Sequence, residues 1–359
     1  MPEARIVLLP GDGIGPEVVA CARQVLEAAA RAFALRLSFR EAAIGGAALD
    51  RFHRALPEAT LAACRDADAV LLGAVGGPRW ESGDWPERPE QGLLALRKAL
   101  GVYANIRPLR VFPALASMSA LREERLQGVD FIIVRELVSG IYFGERSEGP
   151  EEAFDVCRYR RDEIERTARV AAAIARRRRG LVTQVDKANV LASSRLWRGT
   201  VASLLAAEFP ELKLEHLLVD AAAMHLLLQP ARFDVILTEN LFGDILSDEA
   251  AALAGSLGLL PSASLGDHAP QLYEPVHGSA PDIAGRGIAN PIGAILSVAM
   301  LLRHSLARED AACALEAAVE AVLAAGFRTP DLGGSDSSAT VAGKVAEYLA
   351  RAGQARRWA

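Results

Sequence analysis

Short apolar runs rich in β-branched residues alternate with longer Ala- and Leu-rich stretches along the chain, and this alternation most limits how it can fold. The runs at 6–9, 69–72, 131–134, 181–185, 214–219 and 235–238 read as strands. The stretches at 16–33, 92–100, 162–178, 197–209, 245–254, 294–304 and 311–325 carry helical spacing. Strands interleaved with helices predict an α/β architecture around a mixed or largely parallel sheet. No fixed-period repeat and no low-complexity connector is present. Two domains that interrupt one another are therefore expected, and 359 residues suffice for two cores.

Composition narrows the classes. With 51% hydrophobic and 24% charged residues the chain is globular in type. A formal net charge of -5 argues against a general nucleic-acid binder. The run Arg176-Arg177-Arg178-Arg179 closes an apolar stretch and precedes Gly180, which fits cations at a helix C-terminus. Cys21, Cys64, Cys157 and Cys313 are far apart and have no zinc spacing, so a reducing, cytoplasmic setting is expected. The N-terminus lacks a signal-peptide pattern, and the apolar stretch at 292–302 is too short to span a bilayer. No membrane and no nucleic-acid partner is expected.

The segment Asn240-Leu241-Phe242-Gly243-Asp244-Ile245-Leu246-Ser247-Asp248 puts two carboxylates four residues apart on one helix face. Like charges at that spacing repel, and a divalent cation such as Mg²⁺ or Mn²⁺ would turn repulsion into ligation. The plainer reading is a pair of solvated acids at a helix start, favoured by the dipole. Pro10-Gly11-Asp12-Gly13-Ile14-Gly15-Pro16-Glu17 follows the first strand but has Pro16 where a dinucleotide fingerprint needs glycine, so no Rossmann fold follows from it. Arg97, Arg107 and Arg135 stand beside turn or strand-end signals and together suit a di- or tricarboxylate. Tyr142 and Lys187 could each move a proton if burial tunes them. The loop at 277–291 is long and rich in small residues, and its Asp282 suits ribose hydroxyls while repelling a 2′-phosphate. The segment at 145–155 reads as an exposed loop or an arm toward a partner subunit.

Taken in order, the motifs at 9–17, 73–77, 135–144, 185–190, 240–248, 260–265 and 274–291 resemble those of the β-decarboxylating dehydrogenases. That metal-dependent family acts on isopropylmalate, isocitrate, homoisocitrate and tartrate. The resemblance implies the family's own two-domain α/β fold with a mixed sheet, not Rossmann. It implies a cofactor domain at 1–102 and 255–359, and a substrate, metal and dimerisation domain at 103–254. The segment Arg88-Pro89-Glu90-Gln91-Gly92-Leu93-Leu94-Ala95-Leu96-Arg97-Lys98 looks like the isopropylmalate version. Leu93, Leu94 and Val190 could bury its isopropyl group at ~0.8 kcal/mol per carbon, where a third carboxylate would be stranded.

Further roles follow from the resemblance. Arg97, Arg107 and Arg135 would hold the malate carboxylates. Asp220, Asp244 and Asp248 would coordinate Mg²⁺ or Mn²⁺ beside the substrate, with Asp220 and Lys187 supplied across a homodimer interface. NAD would be wrapped by 76–89 and 278–290, involving Gly76, Gly77, Glu90, Asn189, His277, Gly278, Ser279, Ala280, Asp282, Ile283 and Asn290. Lys187 would take the C2 hydroxyl proton and Tyr142 would protonate C3. The arm at 145–156 is short for the family, and Gln184 falls where many relatives have serine. Tartrate, D-malate or another alkylmalate is the alternative substrate. A non-catalytic binding subunit is the alternative class, and it should lack part of the acid/base or metal set.

Overall fold

The computed structural model describes residues 3–80, 85 and 87–357. The chain forms two compact units, one of Met1–Gly101, Phe112–Met118 and Gly255–Ala359, the other of Val102–Val111 and Ser119–Ala254. Besides the two chain ends, the first unit thus takes in the short segment Phe112–Met118.

In the first unit five strands run in the spatial order Leu37–Glu41, Ala4–Gly11, Ala69–Ala74, Gln271–Pro275, Pro261–Leu265. The first four are parallel, and the last pairs antiparallel with its neighbour. Ala69–Ala74 is buried along its whole length, as an apolar run covered on both faces should be. Val7, Leu9, Val70, Leu72, Leu96 and Leu272 form part of one core cluster. Every residue from Ile292 to Leu302 is buried in the helix Ile292–His304, so the longest apolar run is a core helix. Among the described residues no helix is long and apolar enough to cross a membrane.

The second unit has the spatial order Ala104–Arg110, Asp130–Glu136, Val235–Thr238, Leu181–Asp186, Lys213–Leu218. Its first pair is antiparallel and the rest are parallel. The helices Arg161–Ala175 and Ala192–Glu208 supply Ala168, Ala171, Trp197 and Val201 to a core that includes Val134, Val182 and Leu237. The three central parallel strands deliver Arg135, Asp186 and Thr238 at their carboxyl ends, the edge where open parallel sheets place ligands.

Several local expectations are corrected. Four strands of five or more residues were not expected: Leu37–Glu41, Ala104–Arg110, Pro261–Leu265 and Gln271–Pro275. Arg107 lies at the middle of Ala104–Arg110, and Pro108 beside it is carried in the strand opposite Ile132 instead of marking a turn. Arg97 sits inside the helix Pro89–Leu100. The strand expected at 214–219 stops at Leu218, where the helix Val219–Leu228 begins. The segment at 145–155 is a small exposed hairpin pairing Arg146–Ser147 with Phe154–Asp155.

Candidate active site

The helix expected from 245 is Asn240–Ala254, and no acid lies in its first turn. Asp244 and Asp248 therefore sit beyond the reach of the N-terminal dipole, which removes the plainer explanation for them. Gly243 is the residue that lets this helix approach the strand Asp130–Glu136. A Cβ there would stand 2.7 Å from Cγ of Arg135, so a larger residue would push the arginine away.

Arg135 is 3% exposed and held through each of its three guanidinium nitrogens. Its Nε and Nη2 donate to Oδ1 of Asn240 at 3.0 and 2.7 Å, and its Nη1 donates to Oδ1 of Asp244. Arg107 donates from Nε to Asn105 at 2.7 Å, from Nη1 to Ser247 at 2.5 Å and from Nη2 to Asp244 at 3.4 Å. Its Nη1 also lies 3.5 Å from Asp248. Tyr142, in the turn Gly140–Tyr142, donates its hydroxyl to Oδ2 of Asp244 at 3.0 Å. Burial, then the Asp244 charge and the hydrogen bond to it, raise the Tyr142 phenol above its ordinary value, so it keeps its proton. Two guanidinium groups thus face two carboxylates, and the quartet is electrically neutral.

Beneath it lies a buried polar shelf. The Asn240 N–H donates to the Tyr159 phenol oxygen at 2.9 Å, the phenol donates to Glu239 at 3.1 Å, and Asn240 Nδ2 donates to the Ser139 carbonyl at 3.0 Å. Asn105, Asn240 and Ser247 were not singled out from sequence. Asn240 is the first residue of a helix behind a buried strand, but the partner it grips is 105 positions away.

Lys187 follows the strand Leu181–Asp186. Asp186 fixes that turn by accepting the Ala188 N–H at 2.8 Å and both Nε and Nη2 of Arg198 at 2.9 and 2.8 Å. The Lys187 ammonium donates to Asp220 at 2.7 Å, and no hydrogen bond or ion pair joins either residue to Asp244 or Asp248 within one chain. Asn189 and Val190 are exposed just beyond. Among the described residues no three His, Cys, Asp or Glu side chains gather as a metal cage, so one chain presents two acids toward a cation. Those hard, adjacent oxygen donors suit Mg²⁺ or Mn²⁺. Gln184 has a clear use: its Oε1 lies 2.7 Å from Nδ1 of His216, its register partner on the next strand.

In the first unit, Arg97 Nη2 donates to Glu274 at 2.6 Å, and its buried Nε has no hydrogen-bond partner. Glu90, Leu94 and Arg97 fall on one helix stripe. Leu93 packs against the core cluster of this unit. The Glu90 carboxylate lies against Gly76, next to Gly77. Of the expected cofactor segment 76–89, residues 81–84 and 86 lie outside the described residues.

On the other cofactor segment, His277 Nε2 is buried without a hydrogen-bond partner, while Nδ1 lies 2.9 Å from the Gly278 carbonyl. Burial lowers the ring below the ordinary histidine value, which favours the neutral form. Gly278 is open, Ser279 buried, Ala280 and Ile283 half-buried, and Asp282 exposed. An unsatisfied imidazole nitrogen beside open backbone and a free carboxylate fits a nucleotide. Asn290 is different: its Nδ2 donates to Asp331 at 3.0 Å and its Oδ1 accepts the Ile292 N–H at 3.0 Å, so it serves as a brace at a helix start.

Known proteins are similar to this chain over nearly its whole length. The family described as isocitrate/isopropylmalate dehydrogenase matches residues 5–346. A 3-isopropylmalate dehydrogenase of Bacillus subtilis is 57% identical over 92% of this chain and 92% of its own length. One from Anaeromyxobacter dehalogenans is 54% identical over 97% and 99%. Among solved structures, isocitrate dehydrogenase from Methylococcus capsulatus is 38% identical with a TM-score of 0.86, covering 97% of this chain and 99% of its own. On these matches the chain belongs to the isocitrate/isopropylmalate dehydrogenase family.

Proposed function

We propose that this protein oxidises and decarboxylates (2R,3S)-3-isopropylmalate to 4-methyl-2-oxopentanoate with reduction of NAD⁺, a step of leucine biosynthesis in the cytoplasm. The observation that carries this reading is Asp244, which accepts from Arg135, Arg107 and Tyr142 at once. Two guanidinium groups and a protonated phenol meet at one carboxylate, which supports a site for a carboxylate substrate and a cation. Arg107 and Arg135 hold the malate carboxylates. The exposed Val190 offers apolar surface for the isopropyl group.

Asp244 and Asp248 hold the cation, and Asp220 with Lys187 comes from a second copy of the chain. Support for a homodimer is the exposed apolar side of the second unit, carrying Met224, Leu227, Leu228 and Ile245 on the helices Val219–Leu228 and Asn240–Ala254. Lys187 takes the proton of the C2 hydroxyl. Tyr142, which keeps its proton, gives it to C3 after CO₂ departs. Bound Mg²⁺ or Mn²⁺ supplies Lewis-acid polarisation of the C2 oxygen, and bound NAD⁺ supplies the hydride acceptor.

The test is NADH formation from 3-isopropylmalate, D-malate and tartrate, each with Mg²⁺ and with a chelator. Metal-dependent turnover with the highest kcat/KM on 3-isopropylmalate is expected. A preference for D-malate or tartrate would assign the site to that substrate instead.

A further inference from the structure

The turn at 10–17 looks like a phosphate-binding loop, but three of its amides are already engaged. Asp12 N–H donates to the Ala74 carbonyl, Ile14 N–H to the Ser279 carbonyl and Gly15 N–H to the Asp12 carbonyl, each at 2.8 Å. A phosphate cradle needs such donors free.

The turn makes contact with both expected cofactor segments. The Asp12 carboxylate, 4% exposed, accepts the N–H groups of Gly46 and Gly76 at 2.8 Å and of Ala47 at 2.7 Å. It thereby holds the Gly76 end of one segment. Gly13, at φ 57, lets the turn close on the other: a Cβ there would lie 1.9 Å from the Ser279 carbonyl oxygen. In the first turn of the helix Gly15–Ala32, Glu17 accepts the Ala289 N–H at 2.8 Å and the Gly287 N–H at 3.2 Å. The Ser338 hydroxyl donates to the same carboxylate, and the Ser338 N–H donates to the Gly287 carbonyl at 3.0 Å. The loop is thus tied at Ser279 and again at 287–289, and Asp282 is exposed between the ties.

We propose that the turn at 10–17 is a clasp that fixes both cofactor segments, with Asp12 and Glu17 as positioning residues; this rests on the NAD reading above. The clasp acts before any nucleotide arrives, so it can be read without one. Glu17→Gln keeps the shape but weakens a charged acceptor of two backbone amides. Ser338→Ala is the milder second variant. Thr167→Val, which removes a hydroxyl donating to the Glu163 carbonyl at 3.1 Å in the second unit, is a stability control outside both segments.

The experiment combines hydrogen–deuterium exchange over 285–291 in nucleotide-free protein with calorimetric titration of NAD⁺. In Glu17→Gln and Ser338→Ala, exchange should accelerate and NAD⁺ affinity fall, by about tenfold for Glu17→Gln. KM for 3-isopropylmalate and the behaviour of Thr167→Val should stay at wild-type level. A wild type that binds NAD⁺ beside two variants that match it in both readouts overturns the clasp. A wild type that binds no NAD⁺ overturns the cofactor reading instead, and the clasp's purpose with it.

Discussion

A single amide oxygen, Oδ1 of Asn240, accepts both Nε and Nη2 of Arg135, which leaves Nη1 aimed at Asp244. The bidentate grip fixes the plane of the guanidinium, and with it the direction in which a carboxylate can be held. Replacing Asn240 with Ala should strand two donors of a nearly buried cation, at a cost of about 1.5–3 kcal/mol. We predict a fall in kcat/KM of about 10–100-fold, with NAD⁺ affinity unchanged. Steady-state kinetics with separate nucleotide titration would check this; unaltered kcat/KM would remove Asn240 from the site.

The two proton transfers should separate by mutation. Lys187→Ala is expected to abolish the pre-steady-state burst of NADH. Tyr142→Phe should keep the burst and slow turnover by about 10²–10⁴-fold. Stopped-flow absorbance distinguishes the cases, and loss of the burst in both variants would contradict the assigned roles.

From spacing alone, relief of repulsion should stabilise either Asn variant of the acid pair. The structure reverses this for Asp244, because Arg135 and Arg107 neutralise it. Asp244→Asn should lose about 1–3 kcal/mol without metal, while Asp248→Asn, whose side chain is 60% exposed, should change little. Both should bind Mg²⁺ more weakly. Urea unfolding with and without Mg²⁺ measures the two effects, and equal stabilities for the two variants would refute the asymmetry.

Glu136 gives a pH signature. It is fully buried, accepts the N–H groups of Val138 at 3.1 Å and Ser139 at 2.9 Å, and burial pushes its carboxyl up to about 7. Between about pH 4.3, the unfolded value, and about 7, the folded chain keeps a proton that the unfolded chain has lost. This group's contribution therefore makes stability fall as pH rises through that window. Glu136→Gln should flatten the dependence. Urea midpoints at about pH 5 and about pH 8 test it, and an unchanged slope would place the titration elsewhere.

Asp282, exposed beside half-buried Ile283, is expected to set NAD over NADP by accepting ribose hydroxyls and repelling a 2′-phosphate. Asp282→Lys with Ile283→Tyr should shift the ratio of kcat/KM toward NADP, more than either change alone. A wild type that prefers NADP would sink this reading.

How much could be read from the sequence follows from the range over which each signal acts. The α/β alternation was legible because Ala69–Ala74 and Val235–Thr238 are buried throughout and carry continuous apolar runs. Leu37–Glu41, half-buried to exposed, and Ala104–Arg110, which holds Pro108, carry no such run and were missed. Asp244 and Asp248 could be found because four residues of spacing put them on one face. Asn240 and Glu17 could not, because what defines them lies 105 and 270 or more positions away. Gln184 made sense only once His216 stood opposite it across a strand pair.

On the proposed reading, the neutrality of Arg107, Arg135, Asp244 and Asp248 would make this quartet a coincidence detector. A dianionic substrate alone, or a divalent cation alone, would leave uncompensated charge against the quartet; the two together would leave none there. By reciprocity each should raise the affinity of the other by the same factor. Their joint entry should be nearly indifferent to ionic strength, while either alone should weaken steeply as salt rises.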